Sequence, residues 1–159
     1  MGDTALYPLA AEPYDEKAAA LSPDGRWLAY ESTETGRDEI YLRPYPNVND
    51  GKWQISTSGA INPVWSRGGS ELFYISLTGE MTVASLEFGE EVQVRSREPL
   101  FNAFELRIFA QSNYASYDVS LDDQHLYMVQ LGAGDGDDEV NEFILVQNWL
   151  TEVNERLPR

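Results

Sequence analysis

Ser22-Pro23-Asp24-Gly25-Arg26-Trp27-Leu28-Ala29-Tyr30 decides the fold. A short apolar run, Ala19 to Leu21, stops at the serine. Pro23, Asp24 and Gly25 then make a tight turn. Glycine takes positive φ without steric penalty, and the aspartate can bond back to its own turn backbone. A second strand, Trp27 to Tyr30, follows. The plan recurs in Pro63-Val64-Trp65-Ser66-Arg67-Gly68-Gly69-Ser70-Glu71-Leu72-Phe73-Tyr74 and in Tyr117-Asp118-Val119-Ser120-Leu121-Asp122-Asp123-Gln124-His125-Leu126-Tyr127-Met128. Ser66 follows Ser22 by 44 residues, and Ser120 follows Ser66 by 54. A propeller blade takes about 40 to 50 residues, so the second interval carries an insertion.

The strands between these turns complete the blades. In the first repeat Thr35-Gly36-Arg37-Asp38 is a turn, Glu39 to Arg43 a third strand and Lys52 to Ile55 an outer one. The second repeat runs through Leu72 to Ser76 and Met81 to Leu86. Its outer strand falls near Val92 to Val94 or Pro99 to Phe101. The third has Leu126 to Leu131, a long acidic loop and Phe143 to Val146, and no outer strand. Ala5 to Leu9 precedes the first repeat as a lone strand, and Trp149 to Leu157 reads as a short C-terminal helix. The expected fold is therefore all-β: about three blades of four antiparallel strands, near 16–58, 59–102 and 112–148, with the N-terminal strand 5–9 supplying the twelfth strand.

At this point the residues carry a family likeness. Ser22 to Ser32, Gly36-Arg37 and Glu39-Ile40-Tyr41-Leu42 resemble the blade motif of TolB-like propellers. The version here is most similar to propellers at the C-terminus of bacterial eukaryotic-like serine/threonine kinases. Arg43-Pro44-Tyr45-Pro46, Gly51 to Ser56, Pro63 to Ser66 and Asn148-Trp149-Leu150 add to the resemblance, which covers nearly the whole chain. The second repeat departs from it at Arg67-Gly68, where the family has Pro-Asp. The third keeps little beyond Ser120 and the Asp122-Asp123 turn. The resemblance implies a propeller used for interaction or ligand sensing. Propellers of this family have six or more blades, so three make half a ring. In the kinases this region lies outside the cytoplasm, after a membrane span. The compartment is therefore open: cytoplasmic if the chain is a whole gene product, extracytoplasmic if it is cut from a kinase-linked propeller.

Composition narrows the partners. Hydrophobic residues make up 42% of 159 residues and aromatics 12%, enough for a real core. The formal charge is −16, from 27 acidic against 11 basic side chains. That argues against nucleic acid, which needs a basic surface, and against anionic membrane. No stretch is long and apolar enough to span a bilayer. The chain has no cysteine, so disulfides and thiolate chemistry are excluded. Neither a kinase glycine loop nor a nucleophile elbow is present.

Few residues are candidates for chemistry. His125 is the only histidine, and with Ser120 and Asp122 it could form a triad. All three lie within six residues on one turn, which leaves no room for a base between nucleophile and orienter. Gly132 to Glu139 is glycine-rich but lacks a lysine and repels phosphate. Asp135, Asp137 and Glu139 alternate, so calcium is the one ion they could take, although an EF-hand loop needs glycine where Val140 stands. Trp27, Trp53 and Trp65 read as packing between blades rather than as a ligand groove.

The functional expectation follows. The chain is a non-catalytic module for protein interaction or ligand sensing, with no cofactor. A three-blade piece exposes edge strands and unburied blade faces. Two copies would complete one ring, with Leu6, Tyr7 and Leu9 of one chain pairing beside Phe143 and Leu145 of the other. The alternatives are a metal-dependent propeller hydrolase or lactonase, and a C-terminal fragment of a larger sensor kinase.

Overall fold

The computed structural model describes residues 12–111, 116–131 and, as backbone, 141–147. Three antiparallel sheets follow one another along the chain. The first contains β1 (Glu16–Leu21), β2 (Trp27–Ser32), β3 (Glu39–Pro44) and β4 (Trp53–Gln54) in that order. The second contains β5 (Ala60–Trp65), β6 (Glu71–Ser76), β7 (Glu80–Phe88) and β8 (Val92–Asn102). The third contains β9 (Tyr117–Val119), β10 (His125–Leu131) and β11 (Asn141–Gln147), ordered β11-β10-β9. This is the expected propeller plan, with the third sheet one strand short among the described residues. The N-terminal strand 5–9, with Leu6, Tyr7 and Leu9, and the C-terminal helix lie outside the described residues. So do Asp135, Asp137 and Glu139.

The core lies between blades, where the faces of successive sheets meet. Ala29, Ile40, Leu42 and Ile55 of blade one meet Trp65, Leu72 and Tyr74 of blade two. The opposite face of blade two, Ile61, Phe73, Ile75 and Met81, meets Tyr117, Val119, Leu126 and Met128 of blade three. Successive residues of β6 thus serve opposite cores, as the two-residue side-chain period of a strand requires. The tryptophans pack as expected. Trp27 stacks on Phe88 with centroids 4.8 Å apart and meets Trp53 edge-on at 5.8 Å.

The outer strands differ from the sequence reading in extent. β4 spans only Trp53–Gln54, and β8 runs through both of the places predicted for one short strand. Pro99 is tolerated there because β8 is an edge strand. The face of blade one turned away from blade two is not apolar, and its Tyr30, Tyr41 and Arg43 are buried. It carries Tyr30, Tyr41, Arg43 and Lys52, with the Arg43 guanidinium 5.8 Å from the Tyr30 ring and the Lys52 ammonium 5.7 Å from that of Tyr41.

Candidate functional site

The first strand of each blade, β1, β5 and β9, borders a single cavity. It has a volume of about 690 Å³ and is lined by Ala18 to Leu21, Asn62 to Trp65, Arg67, Tyr117 and Asp118. Two local devices shape its wall, and both repeat with the blades.

The first device is the serine turn at the strand ends. Ser22 Oγ donates to Asp24 Oδ1 at 2.6 Å and accepts from the Trp27 amide at 2.9 Å. Ser120 Oγ does the same with Asp122, 2.5 Å, and the His125 amide, 2.9 Å. Gly25, Gly69 and Asp123 occupy the equivalent left-handed position, with φ of 71°, 72° and 56°. Aspartate tolerates that conformation better than most residues do. Blade two has Gly68 where the other turns have aspartate, and a neighbour makes up the loss. Asp123 of blade three accepts from the Arg67 amide at 2.6 Å and from the Gly68 amide at 2.9 Å.

The second device is a bulge in the inner strand. Ala18 and Asn62 stand 44 residues apart, both with positive φ, 49° and 59°. The β1–β2 and β5–β6 registers both shift there. Bulges re-aim side chains and concentrate beside functional sites. In blade three one residue of β10 ties down two points of the corresponding segment. The Phe109 amide donates to Val129 O at 2.8 Å, and the Val129 amide donates to Ser116 O at 3.1 Å. The Ser116 hydroxyl donates to Phe109 O. Ala60 lies six residues before Ser66, whereas Ile108, its counterpart in pairing, lies twelve before Ser120. Six of the ten extra residues in the second interval therefore fall between Ile108 and Ser120 in the sequence.

Polar groups tie the wall together. Glu31, fully buried on β2, accepts from the Asn62 amide at 2.7 Å, and the Tyr117 hydroxyl donates to Asn62 O at 2.6 Å. Burial pushes the Tyr117 phenol well above its ordinary range, reinforced by Glu31, so it acts as a neutral donor. The Asn62 carboxamide is itself buried, with no hydrogen-bond partner among the described residues. At the rim Arg67 pairs with Asp118 at 2.9 Å and donates to Val119 O at 2.7 Å. Sequence reasoning missed Asn62, Glu31 and Arg67 as wall residues, since nothing in a single chain marks a bulge or a contact between blades.

The predicted chemical residues fall elsewhere. Ser120 gives its proton to Asp122, and His125 Nδ1 faces the same Asp122 carboxylate at 3.4 Å. The hydroxyl and the imidazole share an acceptor instead of facing each other, so the trio is a turn motif. Among the described residues no group of three or more His, Asp or Glu could hold a metal ion. No helix among them is long and apolar enough to cross a membrane. Phe143 and Leu145 lie in β11, in register with Val129 and Tyr127.

No family model matches the chain, and no curated protein matches it. Solved structures do. The chain is similar to TolB from Acinetobacter baumannii, with 17% identity and a TM-score of 0.51 over 83% of this chain and 30% of that one. It is also similar to oligogalacturonate lyase from Vibrio parahaemolyticus, with 15% identity and a TM-score of 0.61 over 87% of this chain and 40% of that one. The chain thus spans less than half the length of either. At such identities the likeness shows the fold alone: this chain is built as a β-propeller.

Proposed function

We propose that the chain is a non-catalytic propeller module that binds a protein or ligand on its inner-strand side and completes its ring with a second copy. One observation carries the reading: three blades set their first strands around one cavity, and among the described residues blades one and three each pack on blade two alone. The solved propellers it resembles are chains more than twice as long. In this arrangement β11 offers its free edge to a strand of the second copy, and residues 5–9 are the segment proposed to fill it. The cavity wall supports binding over catalysis. Its charged groups, Arg67 and Asp118, neutralise each other, and the one histidine starts β10, with its ring beside the turn carboxylate of Asp122. Deleting residues 1–10 tests the proposal. The truncated chain is expected to be a monomer where the intact chain is a dimer. A dimer that survives the deletion rules out this mode of closure.

The likeness to a lyase favours a second reading, an enzyme acting on an oligosaccharide at the axis, with a carboxylate-bound metal. A calcium-dependent rise in melting temperature, together with cleavage of oligogalacturonate, would establish it in place of the first.

A further inference from the structure

The far ends of the second strands form a rim with an unusual composition. Three equivalent amides close them: Thr33 onto Asp15 O at 3.2 Å, Leu77 onto Gly59 O at 3.2 Å, and Leu131 onto Arg107 O at 2.9 Å. Blade one has threonine at this position. Blades two and three have leucines instead, 45% and 36% exposed. Between them lie Phe104, 48% exposed, and Leu106, 42% exposed.

These side chains are held in place. A Cβ on Gly59 would come within 2.5 Å of Leu77, and one on Gly79 within 2.4 Å of Phe104. Each apolar side chain therefore lies flat on a glycine. Asn102 Oδ1 accepts from the Phe104 and Glu105 amides at 3.0 and 3.1 Å. Gln130 Nε2 donates to Leu106 O at 2.7 Å. Rigid, half-exposed apolar anchors lose little freedom on binding.

Charge selects the occupant. Glu80 and Glu105 stand exposed at this rim, in no ion pair among the described residues, near Arg107 and near Arg37, whose guanidinium is already held by Glu39. Most other described lysines and arginines are already held by carboxylates of the chain. At this rim a second copy would set the same exposed carboxylates, Glu80 and Glu105, against each other. We propose that this rim docks a cationic amphipathic segment of a partner protein, with Leu77 and Phe104 as its apolar anchors. The anchors Leu77 and Phe104 follow β6 and β8 of blade two, and belong neither to the inner-strand cavity nor to β11, so the proposal is tested separately from ring closure.

The test uses the full chain and a synthetic helix-forming peptide of leucine and lysine at helical spacing, read by calorimetry at low and high salt. The peptide is expected to bind, and binding is expected to weaken with salt. Phe104→Ser or Leu77→Ser should raise Kd at least tenfold. Leu121→Ser, 88% exposed at the opposite end of β10, should leave it unchanged. Leu106→Ser replaces either rim variant that loses its circular dichroism spectrum. Equal affinity for wild type and rim variants would reduce the effect to general acidity and overturn the proposal. So would absence of binding, or a dimer that the rim variants convert to monomer.

Discussion

Asp123 of blade three holds the turn of blade two, its Oδ2 2.9 Å from the Gly68 amide and its Oδ1 2.6 Å from that of Arg67. The position that lacks aspartate in one blade is served by the next blade. The turns thereby become part of the interface between blades, which in a propeller is where most of the core lies.

Asp123→Ala should destabilise the chain by about 1–2 kcal/mol, the usual loss for hydrogen bonds to a charged acceptor. Gly68 has ordinary φ, and a Cβ there would meet only Asp123 Oδ2, at 3.5 Å. Gly68→Asp therefore fits once Asp123 is gone, and gives blade two the turn carboxylate of its neighbours. The double variant is expected to melt higher than Asp123→Ala alone. Equal melting temperatures would show that Asp123 acts only inside its own turn.

The serine turn predicts an acid titration. The Ser22 hydroxyl, then Arg26, lower the Asp24 carboxyl from 3.8 to about 2. A carboxyl depressed in the folded state stabilises that state fully above its unfolded value. The contribution is lost as pH falls from about 4 through about 2. NMR titration of Asp24 should give a midpoint near 2, returning toward 3.8 in Ser22→Ala. Its exposure makes the effect on global stability small.

Glu39 is fully buried. It accepts from the Gly59 amide and from Arg37 Nε, both at 2.8 Å, and from the Ser56 hydroxyl. It therefore fixes the segment entering blade two. Glu39→Ala leaves those donors unpaired and should cost about 3 kcal/mol, measured by urea denaturation. Glu39→Gln, which keeps one acceptor, should cost less.

The turns were legible because Ser-Pro-Asp-Gly states its own geometry, and the second strands because Leu72-Phe73-Tyr74-Ile75 is apolar throughout. The outer strands were legible only in part. β4 pairs through just two residues, and β8 crosses Pro99, which breaks its pattern. The inner-strand wall was not legible. Nothing in Ala18-Ala19-Ala20 announces a left-handed residue, and Asn62 reads as an ordinary polar position. Likewise the departure at Arg67-Gly68 and the doubled Asp122-Asp123 were each visible, but only the packing of blade two on blade three joins them. Leu77 and Leu131 share a repeat position that the alignment of serines contains, but a leucine at the end of a strand carries no local signal of exposure.

The central claim is that these blades act as part of a closed ring made by association. Light scattering on a sizing column, at several protein concentrations, tests it most directly. The account predicts a stable mass of twice 17.9 kDa, unchanged on dilution into the low micromolar range. A monomer at every concentration would contradict it, and would assign the missing blades to another partner or to a longer parent chain.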